Sequence, residues 1–210
     1  VGLLERREKE RDGRRRLILK SARTLFFAKG FKNVTVDEIA RYSELGKGSI
    51  YLYFNSKEEI YVQILLNDID KFHQQLFSLF NKKKSAVELL FEFSYFYADF
   101  FLNDPELFRI LMAFMLHTDH MNLSEEKYRN IILTMRKTID VMSNIFQFGI
   151  DSKEFPSDIN IKHNQFALWG MLNGIISLHI FSGAENKRRD RIYSTIKSTL
   201  QTFVKGLKQS

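Results

Sequence analysis

Residues 31 to 59 read FKNVTVDEIARYSELGKGSIYLYFNSKEE, and the punctuation of this stretch sets the architecture. Thr35-Val36-Asp37-Glu38 is a capping box, in which the threonine oxygen takes an early backbone N–H while the glutamate reaches back to the cap. A helix is predicted over 36–43, with Val36, Ile39 and Ala40 pointing inward. A second is predicted over 47–53, anchored by Ile50 and Phe54. Ser56-Lys57-Glu58-Glu59 repeats the capping device and starts a third at 57. Two short helices on so tight a connection form a helix-turn-helix. Leu17, Ala22, Leu25, Phe26 and Phe31, on or just after a preceding helix over 14–29, supply the rest of a three-helix core.

Working outward, long helices are permitted almost everywhere, because the chain has two prolines and ten glycines in 210 residues. Apolar residues recur at helical spacing, and no alternating strand stands out. Ser85-Ala86-Val87-Glu88 is another capping box. Asp104-Pro105-Glu106 places a cap, a first-turn proline and an acid in sequence, and Ser124-Glu125-Glu126 sets acids at a positive helix end. Gly30, Gly149, Gly183 and Gly206 stand where helices are expected to stop. The further helices are predicted over 57–80, 86–102, 105–116, 125–148, 159–182 and 186–205. Ile131, Met135, Ile139, Met142 and Phe146 make one face of the seventh helix. The fold class is all-α with nine helices, divided into a head at 1–56 and a larger helical body at 57–210.

Composition narrows the function. With no cysteine, disulfides, thiolate metal sites and a cysteine nucleophile are excluded. The N-terminus is charged from Glu5 onward, unlike a signal peptide. The most apolar stretch, Phe166 to Phe181, is short for a membrane span and carries Asn173 and His179. A cytoplasmic chain with no membrane partner is expected. Residues 1–57 hold 14 of the 32 Lys/Arg and 7 of the 25 Asp/Glu, so the net charge of +7 lies entirely there. A basic segment on a neutral body is the electrostatic footprint of a nucleic-acid binder. In the second helix of the pair, Lys47, Ser49, Leu52 and Tyr53 are left facing outward, with Tyr51 at the boundary between surface and core. Lys47 suits a phosphate, Ser49 a base edge and Leu52 a thymine methyl. Gly48 lets the backbone approach a duplex closely. The early run Arg6, Arg7, Arg11, Arg14, Arg15 and Arg16 is interspersed with Glu5, Glu8, Glu10 and Asp12. It suits a solvated helix or a frayed arm at least as well as a minor-groove arm.

The whole stretch resembles the tetracycline-repressor (TetR) family, whose members read much like G-F…T-T-V-x-x-I-A, then K-G-T-L-Y-x-Y-F-x-S-K-E-E. The resemblance implies that Thr35 touches phosphate at the start of the first helix of the pair. It implies that Lys47, Gly48 and Ser49 open the recognition helix, that Tyr51 and Tyr53 contact phosphates with Leu52 between them near the bases, and that Lys57 clamps the backbone. One departure stands out: the family usually has Ala-Gly in the turn, where this chain has Ser43-Glu44. Glu44 must take a turn geometry that glycine tolerates better, and it sets a negative charge near the recognition helix.

In the body, Ala167, Gly170, Gly174 and Ser177 put small residues on one face of the eighth helix. Ile192, Ile196, Leu200, Phe203 and Leu207 line the ninth. The resemblance implies a homodimer paired through these two helices, whereas spacing alone fits packing inside one subunit equally. Phe93, Phe96, Tyr97 and Phe100 form a stripe on the fifth helix, Phe108, Met112 and Met115 on the sixth, and Trp169 with Asn173 sits on the eighth. Such residues suit plain core or a large apolar pocket; the resemblance favours a pocket for a small apolar or amphipathic effector. His117-Thr118-Asp119-His120 brings two histidines and a carboxylate together, but in a predicted loop with no nearby partner set. No metal, cofactor or enzymatic activity is therefore expected. The functional expectation is a transcriptional regulator that binds double-stranded operator DNA by sequence, in the manner of a repressor released by its effector. The alternative is a constitutive, nucleoid-type DNA binder without an effector.

Overall fold

The computed structural model describes residues 2–79, 84–117, 124–180 and 188–208. Among them the chain forms nine α-helices, one 3₁₀ turn and no strand: α1 (Leu3–Lys29), a 3₁₀ turn (Phe31–Asn33), α2 (Val36–Tyr42), α3 (Lys47–Tyr51), α4 (Lys57–Leu79), α5 (Ala86–Asn103), α6 (Pro105–His117), α7 (Glu125–Asp151), α8 (Ile161–Ile180) and α9 (Arg188–Leu207). Gly183 and residues 118–120 lie outside the described residues, as does the side chain of His117. No helix among the described residues is long and apolar enough to cross a membrane.

The chain divides into two compact units. The first comprises residues 1–68 and 106–132, the second 69–105 and 133–210. The core of the first is built by Ile18, Ala22 and Phe26 of α1, Ile39 of α2, Ile50, Phe54, and Ile60, Tyr61 and Leu65 of α4, all nearly fully buried. Leu17, expected in this core, is instead 43% exposed; the neighbours Ile18 and Leu19 take its place. Phe31 is half-buried, its ring edge-on to Tyr61 at 5.0 Å. Tyr61 donates a 2.6 Å hydrogen bond to the Ile110 carbonyl of α6. The hydroxyl that a buried tyrosine must satisfy thus ties α4 to α6 within this unit.

α1 begins at Leu3 rather than at 14, because hydrophobic periodicity starts only near Leu17 and an all-polar helix leaves no apolar stripe to read. Pairs such as Arg6–Glu10, one turn apart at 3.2 Å, support the added turns. Gly30 ends α1 with φ 74°, as glycine should. Gly149 and Gly206 do not end helices; α7 runs on to Asp151 and α9 to Leu207. Gly149 has a packing reason instead: a Cβ there would lie 2.2 Å from the Phe155 ring, which rests on the bare helix backbone. The chain turns after Asp151 with Lys153 at φ 61°. Glu154 then accepts a 2.8 Å bond from the Ala86 N–H at the start of α5, where the helix dipole favours an anion.

Within the second unit, α9 packs against α5 and α8. Ile192, Ile196 and Leu200 are fully buried there, and Phe203 is half-buried against Phe146 at 6.2 Å.

Candidate DNA interface and body cluster

The capping box forms as the sequence dictates. The Glu38 N–H donates to Thr35 Oγ1 at 3.2 Å and the Thr35 N–H to Glu38 Oε2 at 3.0 Å. Lys29 Nζ adds a 2.6 Å bond to Glu38 Oε1. These donors, Lys29 foremost and then the Thr35 backbone, hold the Glu38 carboxyl at about 2, below its ordinary 4.5. Thr35 itself stays exposed at the helix start.

The turn solves the Ser43-Glu44 departure in two ways. Ser43 is buried, and its hydroxyl donates back to the Ile39 and Ala40 carbonyls at 2.8 and 3.1 Å. Glu44 takes the left-handed conformation, φ 55°, and the Leu45 N–H closes the turn on the Ala40 carbonyl at 2.9 Å. The helix-turn-helix path is therefore kept without glycine, at the steric cost that a Cβ carries in this region.

α3 then presents a short outward face. Tyr51 is 47% exposed and Leu52, just past the last helical residue, 77%. Tyr51, expected at the boundary between surface and core, thus lies on the surface. Gly48 is exposed, and a Cβ on it would meet nothing within 4 Å; no neighbour inside the chain demands glycine there. Ser49 and Tyr53 are half-buried. Lys47 is exposed, and its ammonium is held 2.8 Å from Asp37 of α2, whose hydrogen bond and charge raise the lysine pKa. Asp37 had no assigned role in the sequence, since a contact ten residues away across a turn leaves no local signature. Lys57 is half-buried, donates to the Phe31 carbonyl at 2.8 Å and sits 4.3 Å from the Phe31 ring centre. It therefore pins α4 to the 3₁₀ turn.

The body residues separate by unit. Phe93, Phe96, Tyr97 and Phe100 come together around Phe72 of α4, whose ring lies 5.2 Å from Phe96, 5.8 Å from Tyr97 and 5.0 Å from Phe100. Phe93 stacks on Tyr97 at 5.9 Å. Tyr97 is buried and donates to Asn173 Oδ1 at 2.9 Å, while Asn173 Nδ2 donates to the Trp169 carbonyl at 2.9 Å. Burial pushes the Tyr97 hydroxyl well above its ordinary range, so it stays a neutral donor. Phe72 and Phe101 belong to this cluster although sequence reading did not place them there; the signal was present only as two more apolar positions in amphipathic helices. Phe108, Met112 and Met115 lie on α6 in the first unit, where Phe108 is fully buried and Met115 is 37% exposed. Ala167, Gly170 and Gly174 are exposed on α8 and Ser177 is half-buried. Ile192, Ile196 and Leu200, in contrast, are consumed by the subunit's own core.

A capped α2, a left-handed turn and a solvent-facing α3 define a helix-turn-helix DNA-binding regulator. Residues 18–64 match the family of bacterial regulatory proteins, tetR family. The chain is 27% identical to the HTH-type transcriptional repressor NicS of Pseudomonas putida over 157 residues, covering 75% of this chain and 73% of that one. It is also 27% identical to the uncharacterized HTH-type transcriptional regulator YfiR of Bacillus subtilis over 205 residues, 95% and 96% of the two chains. Among solved structures it is similar to the transcriptional regulator FadR from Bacillus subtilis in complex with stearoyl-CoA. That match has TM-score 0.74 at 20% identity over 90% of this chain and 97% of the other. The helix-turn-helix segment thus matches the tetR family, and most of the chain is similar to HTH-type transcriptional regulators.

Proposed function

We propose that the protein binds operator DNA by sequence through α2 and α3, as a repressor released by a small apolar or amphipathic effector held in the body. The observation that carries the DNA reading is the outward face of α3. A large apolar side chain at 77% exposure, Leu52, beside an exposed cationic Lys47 and a bare Gly48, has no use inside the subunit. Laid in a major groove, Lys47 meets phosphate and Ser49 and Leu52 meet base edges. Thr35, Tyr51 and Tyr53 complete the phosphate contacts. Residues 1–56 are the DNA-binding part in this reading and 57–210 the effector and dimerisation part.

Lys47→Ala should weaken binding to all duplexes and reduce the log–log salt slope by about 1, whereas Ser49→Ala and Leu52→Ala should change base preference more than overall affinity. Duplex selection from a random pool, followed by salt titration, reads both effects. Equal losses from all three with unchanged preference would remove the base-reading assignment.

The effector reading rests on the cluster around Phe72, in which apolar rings surround the neutral hydrogen-bonding set Tyr97, Asn173 and Trp169. A few fixed polar groups in an apolar lining are what an amphipathic ligand needs. The stearoyl-CoA held by the similar FadR structure is of that chemical kind. Phe72 sits on α4, the helix whose first residue, Lys57, is fastened to Phe31. A ligand that displaces Phe72 acts on the helix that leads to the head.

The dimer reading now rests on α8 rather than α9. Phe166 is 45% and Leu178 70% exposed, flanking Ala167, Gly170 and Gly174, and a Cβ on either glycine would meet nothing within 4 Å. This apolar, small-residue face suits a second copy of the chain, and a two-fold dimer presents two recognition helices about 34–36 Å apart or somewhat more on successive turns of DNA.

A further inference from the structure

The first turns of α1 carry a positive face that the helix-turn-helix reading does not use. Among the described residues of the helix, Ile18 is the first that is fully buried. From Glu5 to Arg14 every side chain is exposed. From Glu5 to Arg14 the segment therefore extends beyond the core as a polar helix with no buried face of its own. Arg7, Arg11 and Arg14 recur at i, i+4 and i+7, which places them on one side. That side meets the end of α3: an open groove of about 310 Å³ is lined by Arg7, Glu10, Arg11, Arg14, Leu52 and Tyr53. The positive charges in the groove are not spent internally. Glu10 pairs with Arg6 at 3.2 Å, and Arg7, Arg11 and Arg14 have no acidic partner among the described residues. Arg15, one residue further, is engaged differently, donating to Gln63 at 2.8 Å and lying over Phe54. It fixes the base of the segment against α4 and the end of the recognition element.

We propose that Arg7, Arg11 and Arg14 form a second DNA contact, gripping the phosphates of the strand that runs beside the half-site read by Leu52. The inference rests on the DNA reading above and adds to it a partner for the extension of α1. Arg7 to Arg14 spans about 10 Å of helix, which matches the axial rise of about three nucleotides of one strand. Guanidinium groups suit this role because their planar fork binds phosphate oxygens in pairs. Phosphate gripping adds affinity and register without base preference. Gly13 lies within the segment, and a Cβ there would meet nothing. The glycine leaves the helix room to bend onto a backbone at the cost of helix propensity.

The test compares two triple variants of the full chain that lose the same charge from the same helix. One is Arg7→Ala, Arg11→Ala, Arg14→Ala; the other is Lys9→Ala, Arg16→Ala, Lys20→Ala, all outside the groove and none paired with a residue that lines it. Both alter exposed side chains only, and thermal unfolding confirms that each is folded. On a selected operator with flanking duplex, the groove variant should lose at least about tenfold in affinity and flatten the log–log salt slope by about 2 to 3, at roughly 0.9 per phosphate. The control should lose less than about threefold. Equal losses, or none from the groove variant, overturn the proposal. If Lys47→Ala still weakens binding in those cases, the helix-turn-helix reading stands without the arm. If the unaltered protein selects no operator, both readings fall together.

Discussion

At the scale of single residues, the turn between α2 and α3 is where this chain departs from the TetR pattern it resembles and where the departure has a measurable consequence. Glu44 holds φ 55° with a side chain attached. Glu44→Gly should stabilise the protein by about 1 kcal/mol, the usual cost of a Cβ in the left-handed region less the entropy glycine loses on folding. It should also raise affinity for duplex DNA by removing a negative charge near α3. Chemical denaturation checks the first and a salt-matched binding titration the second. Glu38 gives a pH dependence with a definite sign. Its carboxyl sits at about 2 in the fold against 4.5 ordinarily, so the unfolded chain binds the proton first as pH falls. The stability it contributes is present above about pH 4.5 and is lost progressively toward pH 2. Glu38→Gln should flatten acid unfolding in that window. The motif residues of this site were legible in the sequence because capping boxes and turn chemistry are local. The partners Asp37 for Lys47 and Phe31 for Lys57 were not, because each is set by how neighbouring elements dock.

At the scale of elements, the starts of α2, α4 and α5 could be read directly, since each is announced by one side-chain oxygen and one acid three residues on. Helix ends were less readable. Glycine marks an end only when the backbone needs a positive φ, as at Gly30. At Gly149 it marks a ring, Phe155, lying where a Cβ would stand. The two body helices teach a related lesson. Both have regular stripes, but the stripe of α9 is its core face, whereas the exposed side of α8 carries Phe166 and Leu178 around small residues. Gly174→Arg should therefore leave the subunit folded, since nothing inside it opposes a side chain there. It should weaken self-association and operator affinity together. Sedimentation equilibrium paired with a DNA titration checks this; a fully dimeric variant with unchanged DNA affinity would place the interface elsewhere.

At the scale of the whole molecule, charge and chemistry are segregated along the chain. The entire +7 excess lies in residues 1–57, while the remaining 18 basic and 18 acidic residues cancel. The basic part offers surface to a polyanion, and the neutral part gathers aromatic rings around a hydrogen-bonded tyrosine. If an effector binds that cluster and changes DNA affinity, linkage requires that DNA change effector affinity by the same factor. A tenfold effect needs only about 1.4 kcal/mol of coupling. The most direct test measures binding to a selected operator against an unrelated duplex at matched salt, with and without a long-chain amphipathic ligand, while following fluorescence of Trp169, the one tryptophan. The account predicts at least about a thousandfold preference for the operator, reduced tenfold or more by a ligand that also changes the Trp169 signal. Equal binding to both duplexes, unaffected by any ligand in a broad panel, would contradict it and mark the protein as a constitutive, nonspecific DNA binder.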